Sequence, residues 1–337
     1  MQKIKRYSKV IGIVLLLVAF LIVGVVGFAG STKSSSTKTT STKTTSATKN
    51  SKKKHYKFGY TCMTMNNPFF QVIANTMKKE VEKNGDTLII TDPAMDVAKQ
   101  INQIDDLIAQ GIDLIFLNPV DWEGIRPALE ALKKANIPIV NFDTEVKDMQ
   151  YVTAYVGSDN KNAGYVCGKD LVKRFPKGGK IAILDSPTMN SIRDRISGFL
   201  SAIKGKNFTI VARPDAKGDL QTAMQLTDDI LQAHPDIVAI MAGNDPSALG
   251  ALAACKAANR TDILIYGVDG SPDAKKEIAK GGQFVGSAAQ SPKQIAIKSV
   301  EVAYKILRGE KYPKRTPVPT FLITKDNVKK YGTTGWQ

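Results

Sequence analysis

Seven places in this chain set a carboxylate, an amide or a hydroxyl just beyond a short apolar run. Cys62 is followed by Thr64, Asn66 and Asn67, and Leu117 by Asn118. Phe142 is followed by Asp143 and Thr144, Leu184 by Asp185 and Ser186, Met241 (through Ala242 and Gly243) by Asn244 and Asp245. Val268 leads to Asp269 and Ala289 to Gln290. Carboxylates accept hydrogen bonds, and amides both donate and accept, so such a set matches a ligand carrying several neighbouring hydroxyls. Each position also has a local reading, because Asp, Asn and Ser commonly cap helix N-termini. For Asn118 or Asp185 alone the two readings are equal. Asp143 and Asp269 resist the local one. Asp143 stands between an apolar run and a loop, and Asp269 precedes Gly270-Ser271-Pro272, which can start a helix without it.

Phe69 and Phe70 follow Asn66-Asn67-Pro68. Adjacent residues point about 100° apart on a helix, so both rings cannot face one core equally. At the start of a helix beside these amides, aromatic faces suit the C–H faces of a sugar while amides and carboxylates take its hydroxyls.

The elements that would position these groups are legible from periodicity. Apolar runs at 57–62, 87–91, 114–117, 138–142, 152–156, 180–184, 209–212, 237–241, 263–268 and 284–288 read as strands. Helix-length segments separate most of them: 69–84, 97–110, 124–135, 163–175, 192–204, 220–233, 247–258 and 292–307. Strands alternating with helices imply α/β layers with parallel sheets. Ten strands exceed one compact open sheet at this length, and Gly157-Ser158-Asp159-Asn160 interrupts the alternation, so two doubly wound lobes are expected. The segment 292–307 and one short strand over 316–323 are read as returning to the earlier lobe. In open α/β sheets ligands bind beyond the carboxyl ends of the strands, where the seven polar positions fall.

Charge and motifs exclude other classes. Of the net charge of +16, +12 falls on residues 1–57, leaving +4 on the other 280, so the folded part lacks the basic footprint of a phosphate-backbone binder and no nucleic-acid partner is expected. Cys62, Cys167 and Cys255 form no C-x-x-C pair, and Cys167 and Cys255 read as small apolar helix residues. The two histidines, His55 and His234, make neither a metal cluster nor a catalytic dyad. G-x-G-x-x-G, P-loop, H-E-x-x-H and G-x-S-x-G motifs are absent, so neither an enzyme, a cofactor nor a metal is expected.

At the N-terminus, Lys3, Lys5, Arg6 and Lys9 precede an uncharged run from Val10 to Ala29, which reads as an export signal and is long enough to span a bilayer. Cleavage near Ala29 and retention as a membrane anchor both remain open. In either case the basic flank stays inside. The following stretch, almost wholly Ser, Thr and Lys, cannot bury enough apolar surface to order itself and reads as a disordered tether.

The motifs Asn66-Asn67-Pro68-Phe69-Phe70, Asn118-Pro119, Ile137-Pro138-Ile139, Gly157-Ser158-Asp159-Asn160, Arg195-Ile196-Ser197-Gly198-Phe199, Gly243-Asn244-Asp245, Gly267-Val268-Asp269-Gly270-Ser271-Pro272 and Gln290, in this order, resemble the ribose-binding-protein group of periplasmic sugar-binding proteins, the type I solute-binding proteins of ABC importers. The resemblance runs from Tyr56 to Ile323. It implies two lobes joined by a three-crossover hinge, with a sugar or polyol captured by hinge closure and an ABC transporter permease as partner. With the N-terminal reading above, the spans expected are 1–30 signal peptide or membrane anchor, 31–55 linker, 56–157 plus 291–317 first lobe, and 158–290 plus 318–330 second lobe. By position, the first lobe would supply Asn67, Phe69, Phe70 and Asp143, the second Arg195, Asn244 and Asp269, and a crossover Gln290. The resemblance selects Arg195 over Arg193, since two residues apart on a helix they cannot both face the ligand.

Asn66, Thr144 and Lys217 are secondary candidates. Thr144 stands where the ribose-type pattern has Arg, and Lys217 lies near where it has an aromatic ring. These departures argue against ribose itself and leave another pentose, a hexose or a polyol. Lys217 reads either as a contact for an anionic group or as a solvated loop lysine. A sugar-responsive repressor shares this core but needs a DNA-reading helix-turn-helix ahead of it, where this chain has an apolar run and a tether. An exported sugar-sensing receptor module for a signalling partner would use the same fold.

Overall fold

The computed structural model describes residues 55–337. The expected export segment, and the linker up to Lys54, lie outside the described residues. Twelve strands form two six-stranded sheets. The first holds β1 (Lys57–Thr61), β2 (Thr87–Thr91), β3 (Leu114–Leu117), β4 (Ile139–Phe142), β5 (Ala154–Ser158) and β11 (Arg315–Val318), in the order β2-β1-β3-β4-β5-β11. The second holds β6 (Gly179–Leu184), β7 (Phe208–Ala212), β8 (Ile237–Ala242), β9 (Leu264–Asp269), β10 (Phe284–Ala289) and β12 (Phe321–Thr324), in the order β7-β6-β8-β9-β10-β12. The two lobes thus repeat one doubly wound pattern, and the chain passes between them at 158–160, 289–292 and 318–321. This is the expected architecture: type I α/β lobes joined by three crossovers.

The helices are α1 (Pro68–Glu82), α2 (Val97–Ala109), α3 (Arg126–Lys134), α4 (Asn160–Arg174), α5 (Asn190–Ile203), α6 (Leu220–Ala233), α7 (Asp245–Ala257), α8 (Pro272–Lys280), α9 (Pro292–Leu307) and α10 (Val328–Tyr331). Their starts are local chemistry. Asn67, Asp96, Asp159, Asp219, Asn244 and Ser271 each accept a first-turn N–H, and proline opens α1, α8 and α9. Strands such as β3 and β4 are buried along their whole length, because helices cover both faces of the sheet.

Residues 316–323 hold two strands instead of the expected one. β11 runs parallel to β5 in the first sheet, and β12 runs antiparallel to β10 in the second. The carboxyl ends of the two sheets face each other across the cleft. An extended segment leaving one sheet therefore enters the other against its strand direction. Pro319, which has no N–H to give a ladder, falls between the two pairings. Helix α9 packs on α1, returning to the first lobe as expected.

Helices α4 and α5 touch backbone to backbone, and this fixes Arg195. A Cβ on Gly164 would stand 1.6 Å from the Arg195 carbonyl oxygen, and one on Gly198 would stand 1.9 Å from the Lys161 carbonyl oxygen. Gly164→Ala must therefore push α5 away from α4 and is expected to cost about 3 kcal/mol, the upper end of ordinary overpacking. Thermal unfolding followed by circular dichroism checks this; an unchanged melting temperature would contradict the contact.

Candidate functional site

A cavity of about 560 Å³ opens between the facing carboxyl ends of the two sheets. That volume falls within the roughly 300–1,000 Å³ of small-molecule sites. Asn67, Phe69, Phe70 and Asp143 line it from the first lobe, Arg195, Asn244 and Asp269 from the second, and Gln290 from a crossover. All eight primary candidates are thus brought together, along with Asn66 and Lys217 from the secondary set.

Asp143 is set by its neighbours. It follows β4 with φ +58°, a left-handed conformation that asparagine and aspartate tolerate better than other non-glycine residues. Asn118, at the end of β3, donates to Asp143 Oδ2 at 3.0 Å and to the Phe142 carbonyl at 3.2 Å. The Tyr155 hydroxyl donates to the Asp143 carbonyl at 2.7 Å. Asn118 thus holds the carboxylate; it does not line the cavity. Asp143 Oδ1 is buried and has no hydrogen-bond partner among the described residues. Burial pushes the Asp143 carboxyl above its ordinary range, with Arg195 opposing.

Thr144 does not reach the cavity. Fully buried, it bonds Asp143 Oδ2 at 3.2 Å and the Ser191 hydroxyl of α5 at 2.7 Å, joining the two lobes. Trp122 makes a second join: its backbone N–H donates to the Thr188 carbonyl at 3.1 Å, and the Arg193 guanidinium lies 4.4 Å from its ring centroid. The two arginines of α5 therefore divide as their spacing requires, Arg195 inward and Arg193 outward.

Arg195 is 3 % exposed. It donates through Nε to Asn160 Oδ1 and through a terminal nitrogen to the Gly243 carbonyl, both at 2.9 Å, and lies 3.7 Å from Asp269. Asp269 Oδ1 accepts from Gln290 Nε2 at 2.7 Å, while Gln290 Oε1 is buried with no partner among the described residues. Asp269 sits at φ +141°, a strained backbone for a non-glycine residue. Buried Asp245 stands nearby, accepting from the Ser287 hydroxyl at 2.6 Å and the Ser271 N–H at 2.7 Å. Burial first, and the Asp245 charge second, push the Asp269 carboxyl up to about 8, against the pull of Arg195.

The remaining candidates differ in character. Asn67 caps α1, accepting from the Phe69 N–H at 3.0 Å. Asn244 caps α7 and also donates to the Gly218 carbonyl at 2.8 Å, so much of its amide serves the fold. Capping and cavity lining coexist here; neither reading excluded the other. Phe69 and Phe70 are both buried and stand edge to face, 5.4 Å between centroids. Lys217 is exposed at the cavity's edge with φ +53°. Sequence reasoning missed Ser191, Met189 and Trp336, which also line the cavity. Ser191 lies four residues before Arg195 on the same helix face, a signal that was there to be read. Cys62, Cys167 and Cys255 are buried and free, and no metal-holding cluster of His, Cys, Asp or Glu occurs among the described residues.

Two doubly wound lobes with a polar cleft between their strand ends are the type I periplasmic binding protein architecture. The chain matches the periplasmic binding protein domain over residues 58–311 and belongs to that family. It is 35 % identical over 273 residues to the ribose import binding protein of Bacillus subtilis strain 168, covering 81 % of this chain and 88 % of that one. It is 34 % identical over 263 residues to the ribose import binding protein of Escherichia coli strain K12, covering 78 % and 88 %. Its fold superposes with a TM-score of 0.80, at 35 % identity over 84 % of this chain and all of the other, on an ABC transporter solute-binding protein from Mycobacterium smegmatis with bound glycerol.

The raised Asp269 pKa has a stability consequence. The folded protein holds this proton more tightly than the unfolded chain, so the resulting stabilisation is complete below the ordinary aspartate pKa of about 3.9 and is lost as pH rises through about 8. Asp269→Asn removes the buried charge. Its melting temperature minus that of wild type is expected to become more positive from pH 5 to pH 8.5; a difference independent of pH would contradict the assignment.

Proposed function

We propose that this chain is an extracytoplasmic solute-binding protein that captures a sugar or polyol by closure of its two lobes and delivers it to an ABC importer. The observation that carries the reading is a pair of buried acceptors, Asp143 Oδ1 and Gln290 Oε1, that find no protein donor among the described residues and belong to side chains of the cavity wall. An orphaned buried acceptor is costly unless a ligand donor meets it. Hydroxyl groups supply such donors, Arg195 can donate to a ligand oxygen, and Phe69 and Phe70 give apolar faces for ring C–H groups.

Asn67, Phe69, Phe70, Asp143, Arg195, Asn244, Asp269 and Gln290 are proposed to form the binding site, with Asn66 and Lys217 at its edge. Thr144 acts through its bond to Ser191. The relatives named as ribose import proteins, and the one holding glycerol, support a polyhydroxylated ligand of pentose or neighbouring size. The role is capture and not turnover. Export by the 1–30 segment, followed by cleavage or anchoring, would place the lobes outside the cytoplasm, where a permease collects the ligand.

A ligand that touches both lobes favours the closed state over the open one. The joins between Thr144 and Ser191 and between Trp122 and Arg193 then hold the closed state. Ligand binding to the native state raises apparent stability, so a thermal-shift screen of pentoses, hexoses, polyols, amino acids and nucleosides tests the ligand class. Shifts are expected from one or more sugars or polyols; shifts with amino acids or nucleosides and none with sugars would reject the reading. With the strongest hit, calorimetry on Asp143→Ala is expected to show affinity lowered roughly 10- to 100-fold, the loss of a charge-assisted hydrogen bond. Unchanged affinity would remove Asp143 from the site.

A further inference from the structure

The cavity has an aromatic wall that neither the strand ends nor the family pattern assigns. Trp336 follows α10, well beyond the last strand of the second sheet, yet it lines the cavity. Its ring centroid lies 5.8 Å from that of Phe69, at an interplanar angle of 63°. Phe69 belongs to the first lobe. The segment carrying Trp336 is tied to the second, because α10 packs on α8.

The tie is specific. Lys275 of α8 is 0 % exposed, and no carboxylate lies within ion-pair distance of it among the described residues. A buried ammonium needs hydrogen-bond acceptors. Lys275 finds one in the Gly335 carbonyl. With the Gln337 amide oriented so that its nitrogen faces the Gly270 carbonyl at 3.0 Å, the Gln337 side-chain oxygen accepts from Lys275 as well. Residues 335 and 337 are thus both fastened beside the Asp269–Ser271 turn, with Trp336 between them.

We propose that Trp336 is a ligand-contacting residue: the 332–337 segment, fastened by Lys275 and Gly270, supplies the second lobe's aromatic wall to the cleft. Among the described residues, the aromatic rings lining the cavity are Phe69, Phe70 and Trp336, and the first two belong to the other lobe. Lys217 lies near where the ribose-type pattern has an aromatic ring, and Trp336 offers an aromatic face from a different part of the chain. Phe69 and Trp336 meet as a corner, too close for a sugar to lie sandwiched between them. A ligand ring rests against that corner, and the indole N–H can donate to a hydroxyl at its edge. Because the corner is built from both lobes, it forms only when they close. This inference rests on reading the cleft as a sugar site.

The chain's two tryptophans make the test direct. Trp122→Phe leaves Trp336 as the sole indole while keeping a ring under Arg193. The probes are D-ribose, D-allose, D-galactose, myo-inositol and glycerol, titrated by calorimetry and by tryptophan emission. For whichever probe binds, the emission of the Trp122→Phe protein is expected to change on saturation. Trp336→Ala is expected to weaken binding about tenfold, the upper range for one aromatic contact, and Trp336→Phe to retain most of the affinity. A probe that binds Trp336→Ala and wild type equally overturns the proposal and leaves the sugar reading intact. Should Trp336→Ala fail to fold, unchanged emission from Trp122→Phe on saturation overturns it instead. If neither these five nor any sugar or polyol of the thermal-shift screen binds wild type, the sugar reading falls, and the wall falls with it.

Discussion

Arg195 is a buried cation of the cleft, and the second lobe's side of the site depends on how it is held. It opposes, without cancelling, the upward push that burial gives two carboxyls: Asp269 at 3.7 Å and Asp143 across the cleft. A guanidinium with this little water must have its hydrogens met. Asn160, at the first turn of α4, and the Gly243 carbonyl, past β8, meet two of them. Asn160 is within reach because α4 and α5 approach through Gly164 and Gly198 without side chains between them. One residue therefore couples the helix pair, the turn after β8 and the carboxylate at the end of β9.

The same economy governs closure. Asp143 receives its orientation from Asn118 and its backbone support from Tyr155, while Thr144 beside it carries the contact to Ser191. A substitution meant to alter ligand contact at Asp143 would thus also touch the join between lobes. The strained backbones at Asp143 and Asp269 sit on opposite sides of the cleft. Strain of this kind persists only where surrounding contacts over-determine it, and here hydrogen bonds to both carboxylates do so.

Much of the fold was legible because parallel α/β lobes write a simple pattern: apolar runs for strands, 3.6-residue periodicity for helices, polar residues at strand ends. The eight primary site candidates converge on one cavity for that reason. What the sequence concealed was non-local. Residues 316–323 look like one strand, and only the facing orientation of the sheets divides them. Thr144 follows Asp143 yet turns away, because the left-handed backbone at Asp143 redirects the chain. Trp336 lies beyond every periodic element, and its place follows from a buried lysine whose partners no local pattern reveals. Asn244 and Asn67 each cap a helix and line the cavity, two positions that a sequence pattern presents as alternatives.

The central claim is that Asp143 Oδ1 and Gln290 Oε1 are acceptors awaiting ligand hydroxyls. A crystal structure of the protein grown with the sugar or polyol that stabilises it most would measure this directly. The expected result is a ligand in the cleft with one hydroxyl within about 2.5–3.0 Å of each of those atoms and an oxygen facing Arg195. A ligand seated elsewhere, or one in the cleft that leaves both acceptors unbonded, would contradict it.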